Sequence, residues 1–111
     1  MTLSYDDFLK VDVRVGRILR AEDFAKARKP AYRLWIDFGP ELGTKQSSAQ
    51  ITKLYGKEEL VDRLVVAVVN FPRKQIADFM SEVLVLGTET QPEAIQLLHP
   101  GEGAVPGTRV F

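Results

Sequence analysis

The apolar positions alternate with polar ones early in the chain, and then the phase changes. Val11, Val13 and Val15 share one face at period two, whereas Ile18 falls on the other parity. Gly16-Arg17 lies at this slip, and a glycine there predicts a bulge or sharp bend. The first strand is therefore expected to be long and bent, able to serve two sheets in turn. Upstream, Ser4 and Asp7 in SYDDFLK have the spacing of a helix cap and predict a short N-terminal helix presenting Phe8 and Leu9.

The stretch YRLWIDFG alternates cleanly, with Tyr32, Leu34, Ile36 and Phe38 on one face and Arg33, Trp35 and Asp37 on the other. PELG turns the chain. KQSSAQITKLY is a polar strand candidate whose small side chains suit either a ligand or water. GKEELVDR fits one or two helical turns, and LVVAVVNF, SEVLVLGT and AIQLL read as strands. PGTRV predicts a short closing strand.

No βαβ rhythm, internal repeat or low-complexity linker interrupts this pattern. The expected fold is a single all-β domain over residues 1–111, a small OB-type Greek-key barrel. It carries a short N-terminal helix and a short helix between the third and fourth strands. OB folds bind ligands on their second and third strands and on two loops. Under that mapping the loops are AEDFAKARKPA (Ala21–Ala31) and NFPRKQIADFMSE (Asn70–Glu82). The second joins two apolar strands with 13 residues, where a tight hairpin needs only about two to five.

Composition narrows the chemistry. The chain has 111 residues and no cysteine, which excludes disulfides, thiolate catalysis and cysteine-ligated metals. The longest apolar run, Leu64–Val69, is far short of the roughly 20 residues of a spanning helix. MTLSYDDFLK lacks the basic and apolar regions of a signal peptide, so a cytoplasmic location without membrane insertion is expected. His99 is the single histidine, and no P-loop, G-x-S-x-G, G-x-G-x-x-G or H-E-x-x-H motif occurs. The residues offer no catalytic constellation, metal site or cofactor site, and the expectation is a binding protein rather than an enzyme.

Net charge is zero but unevenly spread. Lys10 to Lys74 holds 14 of the 15 basic residues against 8 acidic ones, a local balance of +6. Lys26, Arg28, Lys29, Lys45, Lys53, Arg73 and Lys74 fall on segments that an OB arrangement brings to one side, a patch suited to an anionic partner. Trp35 lies on the charged face of its strand, where it either stacks on a base or is covered by a helix or a second subunit. Phe71, Ile76, Phe79 and Met80 make the second loop apolar as well as cationic, which suits an extended polypeptide; the alternative for Phe71 and Phe79 is that at least one of them plugs the barrel end.

KVDVRVGRI, the run VVAVVNFPRKQIADFMSEVLVLG and PGTRV together resemble the tRNA-binding-domain family. That family includes the C-terminal extension of some methionyl-tRNA synthetases and free-standing tRNA-binding proteins. IDFGPELGTKQSSAQITKLY and VVNFPRKQIADFMSEVLVLG are more closely similar to its CsaA-type protein-export chaperones. The chain departs from the tRNA-binding relatives at Ser81-Glu82-Val83-Leu84, where they carry Ser-Glu-Gly-Met, and at Asp78, where glycine is common.

The resemblance implies a homodimer that binds unfolded or precursor polypeptide and cooperates with the SecA translocation motor. Combined with the loop, it gives an ATP-independent chaperone in which Phe71, Ile76, Phe79 and Met80 take apolar segments. Arg73, Lys74 and Lys45 would steer acidic stretches, and Asn70, Ser47 and Ser81 would bond to the ligand backbone. The alternative is a tRNA-binding module with Lys26, Arg28, Lys29, Lys45, Arg73 and Lys74 on phosphates and Asn70, Ser81 and Glu82 near a nucleotide. A third reading is a bare interaction domain docked to a larger machine. Phe8, Leu9, Val110 and Phe111, apolar at ends where polar residues are usual, are the candidate dimer contacts.

Overall fold

Ser4 caps the first helix as its spacing predicts. Its Oγ accepts from the Asp7 N–H at 3.0 Å, and α1 runs Tyr5–Leu9. The structure, a computed structural model, describes all of residues 1–111. After α1 come β1 (Val13–Asp23), β2 (Tyr32–Asp37), α2 (Gly39–Leu42), β3 (Thr44–Ala49), α3 (Lys57–Leu60) and β4 (Leu64–Val68). The second half adds β5 (Lys74–Ile76), β6 (Phe79–Ser81), β7 (Leu84–Val85), β8 (Gly87–Gln91) and β9 (Ala94–Leu97). Five antiparallel strands in the order β3-β2-β1-β4-β7 form the body of a small OB-type barrel.

The long first strand serves two neighbours within one five-stranded sheet, not two sheets in turn: Val13–Arg17 pair with β4 and Arg17–Asp23 with β2. The reason for the phase change differs from the expectation. Gly16 pairs in register with Val65, and the irregularity lies further on, between Ile18 and Arg20. The apolar parity switches because both faces of β1 are covered. Val13 and Val15 face outward into a cluster with Val66 and Val68, while Ile18 faces into the barrel with Leu34, Ile36, Phe38 and Val65. Gly16 is needed for close approach, since a Cβ there would lie 2.6 Å from Ile36 Cγ2 and 2.7 Å from the Phe38 ring.

β4 follows the same logic. Val65 and Ala67 point into the barrel and Val66 and Val68 out, so the strand is buried on both faces and reads as an uninterrupted apolar run. β2 keeps its alternation, with Tyr32, Leu34 and Ile36 buried. Other boundaries shift. Ala21–Asp23 belong to β1 rather than to the first loop, which shortens to residues 24–31. SEVLVLGT divides among the end of β6, β7 and the start of β8, and PGTRV contributes a single bridge, Arg14 to Arg109.

That bridge belongs to a charged knot tying both ends of the chain to the barrel. Arg14 donates to both oxygens of Asp12, at 2.6 and 3.2 Å, and to the Gly107 carbonyl at 3.0 Å. Arg109 reaches the same carboxylate at 3.8 Å and donates to the Leu9 carbonyl at the end of α1. The Arg14 hydrogen bond, aided by the charges of Arg14 and Arg109, holds the Asp12 carboxyl below its ordinary value of 3.8. A lowered folded pKa stabilises the fold above the unfolded value and ceases to do so as pH falls through the folded one. Thermal melts between about pH 6 and pH 3 should therefore lose stability, and Asp12→Asn should flatten that loss. An unchanged pH profile in Asp12→Asn would remove the knot from the account.

Candidate functional site

The connection from Asn70 to Glu82 is not an open loop. It contains the β5–β6 hairpin, in which Ile76 pairs with Phe79 across the two-residue turn Ala77-Asp78. Ala77 adopts φ +53°, a conformation normally left to Gly, Asn or Asp. Phe79 lies buried beneath, edge-on to Phe24 at 5.5 Å and to Trp35 at 5.9 Å, with Ala31, Ala27 and Ile76 packed around them. Lys26 closes the junction above with a 2.7 Å ion pair to Asp78, and this hydrogen bond holds the Asp78 carboxyl below its ordinary range. Asp78 thus faces Lys26 in the first loop. Hairpin and first loop form one packed unit.

Trp35 is half-buried, packed against Phe24, Ala31 and Phe79 of strands and loops of its own chain. The Arg20 guanidinium lies 4.2 Å from its ring centroid and Phe79 meets it edge-on, so base stacking would have to displace Arg20.

Ser81 and Glu82 close the barrel where no regular ladder joins β3 to the hairpin. Ser81 Oγ accepts from the Ser48 N–H at 3.0 Å, and Glu82 Oε1 accepts from the Gln46 N–H at 3.1 Å. The Glu82 N–H returns a bond to the Gln46 carbonyl at 2.8 Å, and Gln46 Nε2 donates to the Met80 carbonyl at 2.8 Å. Side chains here replace the missing strand pairing and satisfy the edge of β3.

Two cavities flank this unit. The first, about 630 Å³, is lined by Phe71, Pro72, Arg73, Lys74, Gln75, Ser81, Glu82, Val83 and Leu84. Phe71 is 53% exposed and Leu84 49%, and large apolar groups so placed in a concave wall favour an apolar ligand. The second, about 650 Å³, runs between the first loop and the hairpin, with Ser48 and Gln50 of the β3 edge contributing. Lys26, Arg28, Lys29 and Lys74 line it, and Ile76 is among its apolar residues.

The site residues expected from the sequence divide accordingly. Phe71, Arg73, Lys74 and Ser81 meet in the first cavity, joined by Glu82, while Lys26, Arg28, Lys29 and Ile76 meet in the second. Phe79 and Ser47 are buried and present nothing to a ligand. The Ser47 hydroxyl lies 3.0 Å from the Val83 carbonyl and 3.1 Å from that of Ser48. Asn70 ties the hairpin's approach to the start of β1, its Oδ1 accepting from the Asp12 N–H at 3.0 Å and its Nδ2 donating to the Lys10 carbonyl at 2.8 Å. Lys45 and Met80 line neither cavity. Leu84 was missed, although its parity against buried Val83 marks it as the outward residue of VLVL.

Arg109, donating to the Leu9 carbonyl, brings the two chain ends that carry the candidate dimer residues together. Val110 packs on the outer valine cluster beside Leu86 and Ala104, its N–H donating to the Val13 carbonyl at 2.8 Å. Phe8 and Leu9 are half-buried, and Phe111 is 86% exposed. No helix is long and apolar enough to cross a membrane.

A profile described as a putative tRNA binding domain matches residues 13–109. The chaperone CsaA of Bacillus anthracis strain Ames superposes with a TM-score of 0.94 at 50% identity, each chain covered in full. The CsaA chaperone protein of Picrophilus torridus gives 0.92 at 51% identity, covering 99% of this chain and 100% of that one. A methionyl-tRNA-synthetase-related protein of Pyrococcus horikoshii gives 0.88 at 25% identity, covering 100% of this chain and 99% of the other.

Proposed function

The chain belongs to the putative tRNA-binding-domain family, as a CsaA-type member, and from that premise we propose that it is a chaperone holding unfolded polypeptide. The observation that carries this reading is the exposed Phe71 in a cavity shared with Leu84 and bordered by Arg73 and Lys74. An apolar side chain of the ligand enters against Phe71 and Leu84 and leaves water, the main favourable term. Arg73 and Lys74, both exposed, attract acidic neighbours and set the encounter rate more than the final affinity.

Binding and release need no nucleotide in this scheme, because a shallow apolar cavity exchanges its ligand by dissociation alone. A homodimer built on the outward apolar residues near Phe111 would supply two cavities, and avidity then raises weak single-site affinity by about 10² or more. Light scattering at micromolar concentration should give the dimer mass; a monomer mass would remove avidity from the scheme. The setting that fits is cytoplasmic, with export precursors as clients handed to the SecA motor. Co-sedimentation with SecA in the presence of a precursor tests that transfer.

Phe71→Ala tests the cavity. It is expected to weaken binding of a fluorescent unfolded precursor segment about tenfold, equivalent to about 1.4 kcal/mol, with the melting temperature unchanged. Unaltered binding by a folded Phe71→Ala protein would place the ligand elsewhere.

A further inference from the structure

We infer that the cationic groove between the first loop and the β5–β6 hairpin is a second subsite, taking an acidic segment of the same extended polypeptide whose apolar residue fills the Phe71 cavity. The inference rests on the polypeptide-binding reading and adds a sequence rule to it. Three observations support it.

Charge is the first. The side chains of Arg28, Lys29 and Lys74 are exposed and make no ion pair or hydrogen bond within the chain, so all three charges are available. Lys26 is already matched by Asp78.

The β3 edge is the second. Gln46 and Ser48 direct their N–H groups to the seam, where Glu82 and Ser81 accept them. Strand alternation carries the next seam-facing N–H to Gln50, an exposed residue of this groove whose backbone N–H and carbonyl have no partner in the chain. An extended segment can bond there as a short added strand while its carboxylates reach the three cations.

Continuity is the third. Lys74 and Gln75 line both cavities, so one chain can cross from one to the other. The acidic residues are therefore expected on the same extended segment as the apolar anchor, close beside it in sequence. The groove suits RNA less well, because no aromatic side chain lines it and the Trp35 indole nearby carries the Arg20 guanidinium over its ring.

The test uses two labelled peptides that differ only beside a single apolar anchor, one carrying Asp and Glu and its twin Asn and Gln. The intact protein should bind the acidic peptide about tenfold more tightly at low salt. Arg28→Gln combined with Lys29→Gln should reduce that ratio to about twofold, leaving the amide twin's affinity and the melting temperature unchanged. Equal binding of the two peptides by the unaltered protein would overturn the subsite and leave the Phe71 cavity standing. Failure of both peptides to bind would remove the polypeptide reading and the subsite with it. Equal loss of both peptides in the double variant would show that the groove does not read charge. If a homopolymeric RNA binds in a way the double variant abolishes, and the acidic peptide does not compete with it, the groove belongs to nucleic acid and the inference fails.

Discussion

Phe79→Ala is expected to lower stability by about 3–5 kcal/mol, because it removes the centre of the only apolar cluster joining the hairpin to the first loop. Its ring meets Phe24 and Trp35 edge-on, and such pairs add about 0.5–1.5 kcal/mol beyond buried area. A loss of this size is a large share of a small domain's total stability. Urea unfolding followed by Trp35 fluorescence would measure it directly, since the indole packs on the deleted ring. Binding should also fall, but only as far as the folded population falls, whereas Phe71→Ala should lose binding with its stability intact. A Phe79→Ala protein of unchanged stability would show that the cluster does not hold the hairpin in place.

The second large effect is expected at the barrel seam. Ser81→Ala with Glu82→Gln removes the hydroxyl acceptor of the Ser48 N–H and weakens the acceptor of the Gln46 N–H. An N–H left unpaired in a half-buried seam costs about 1–3 kcal/mol, and the pair together should cost about 2–4 kcal/mol. Hydrogen exchange locates the damage: amide protection should drop at Gln46 and Ser48 first, while β1–β4 amides keep theirs. If protection instead falls uniformly, Ser81 and Glu82 stabilise the barrel as a whole rather than its seam.

The seam and the hairpin mark where sequence reasoning stopped. Alternation at Tyr32–Phe38 was legible because one face of β2 looks into the barrel. The cap at Ser4 was legible because its partner lies three residues away. Contacts joining distant parts of the chain left no local pattern. Asn70 bonds to Lys10 and Asp12 across 60 and 58 residues, and Ser81 and Glu82 bond to β3 across 33 and 36. Polar residues in a loop look like ligand contacts until such partners are known. The hairpin was hidden because its turn is Ala77-Asp78, with alanine rather than glycine at positive φ. The sequence left Phe71 and Phe79 each between ligand contact and barrel plug; Phe79 is the buried one and Phe71 the exposed one. On β1 the slip at Gly16 reflected coverage of both faces, a fact about the C-terminal segment packed outside the barrel.

The first cavity was legible in outline, since Phe71, Arg73 and Lys74 are adjacent and exposed. Its far wall was not, because Leu84 reaches it only after the chain has passed through β6 and the seam.

The central claim is that the first cavity takes polypeptide, and the most direct measurement is a competition at near-physiological salt. A fluorescent unfolded precursor segment is bound to the protein and its anisotropy followed while unlabelled precursor or bulk tRNA is added. Polypeptide binding predicts that unlabelled precursor lowers the anisotropy and that tRNA leaves it high. Displacement of the segment by tRNA at micromolar concentration, with a steep salt dependence, would contradict the account and assign this face to RNA.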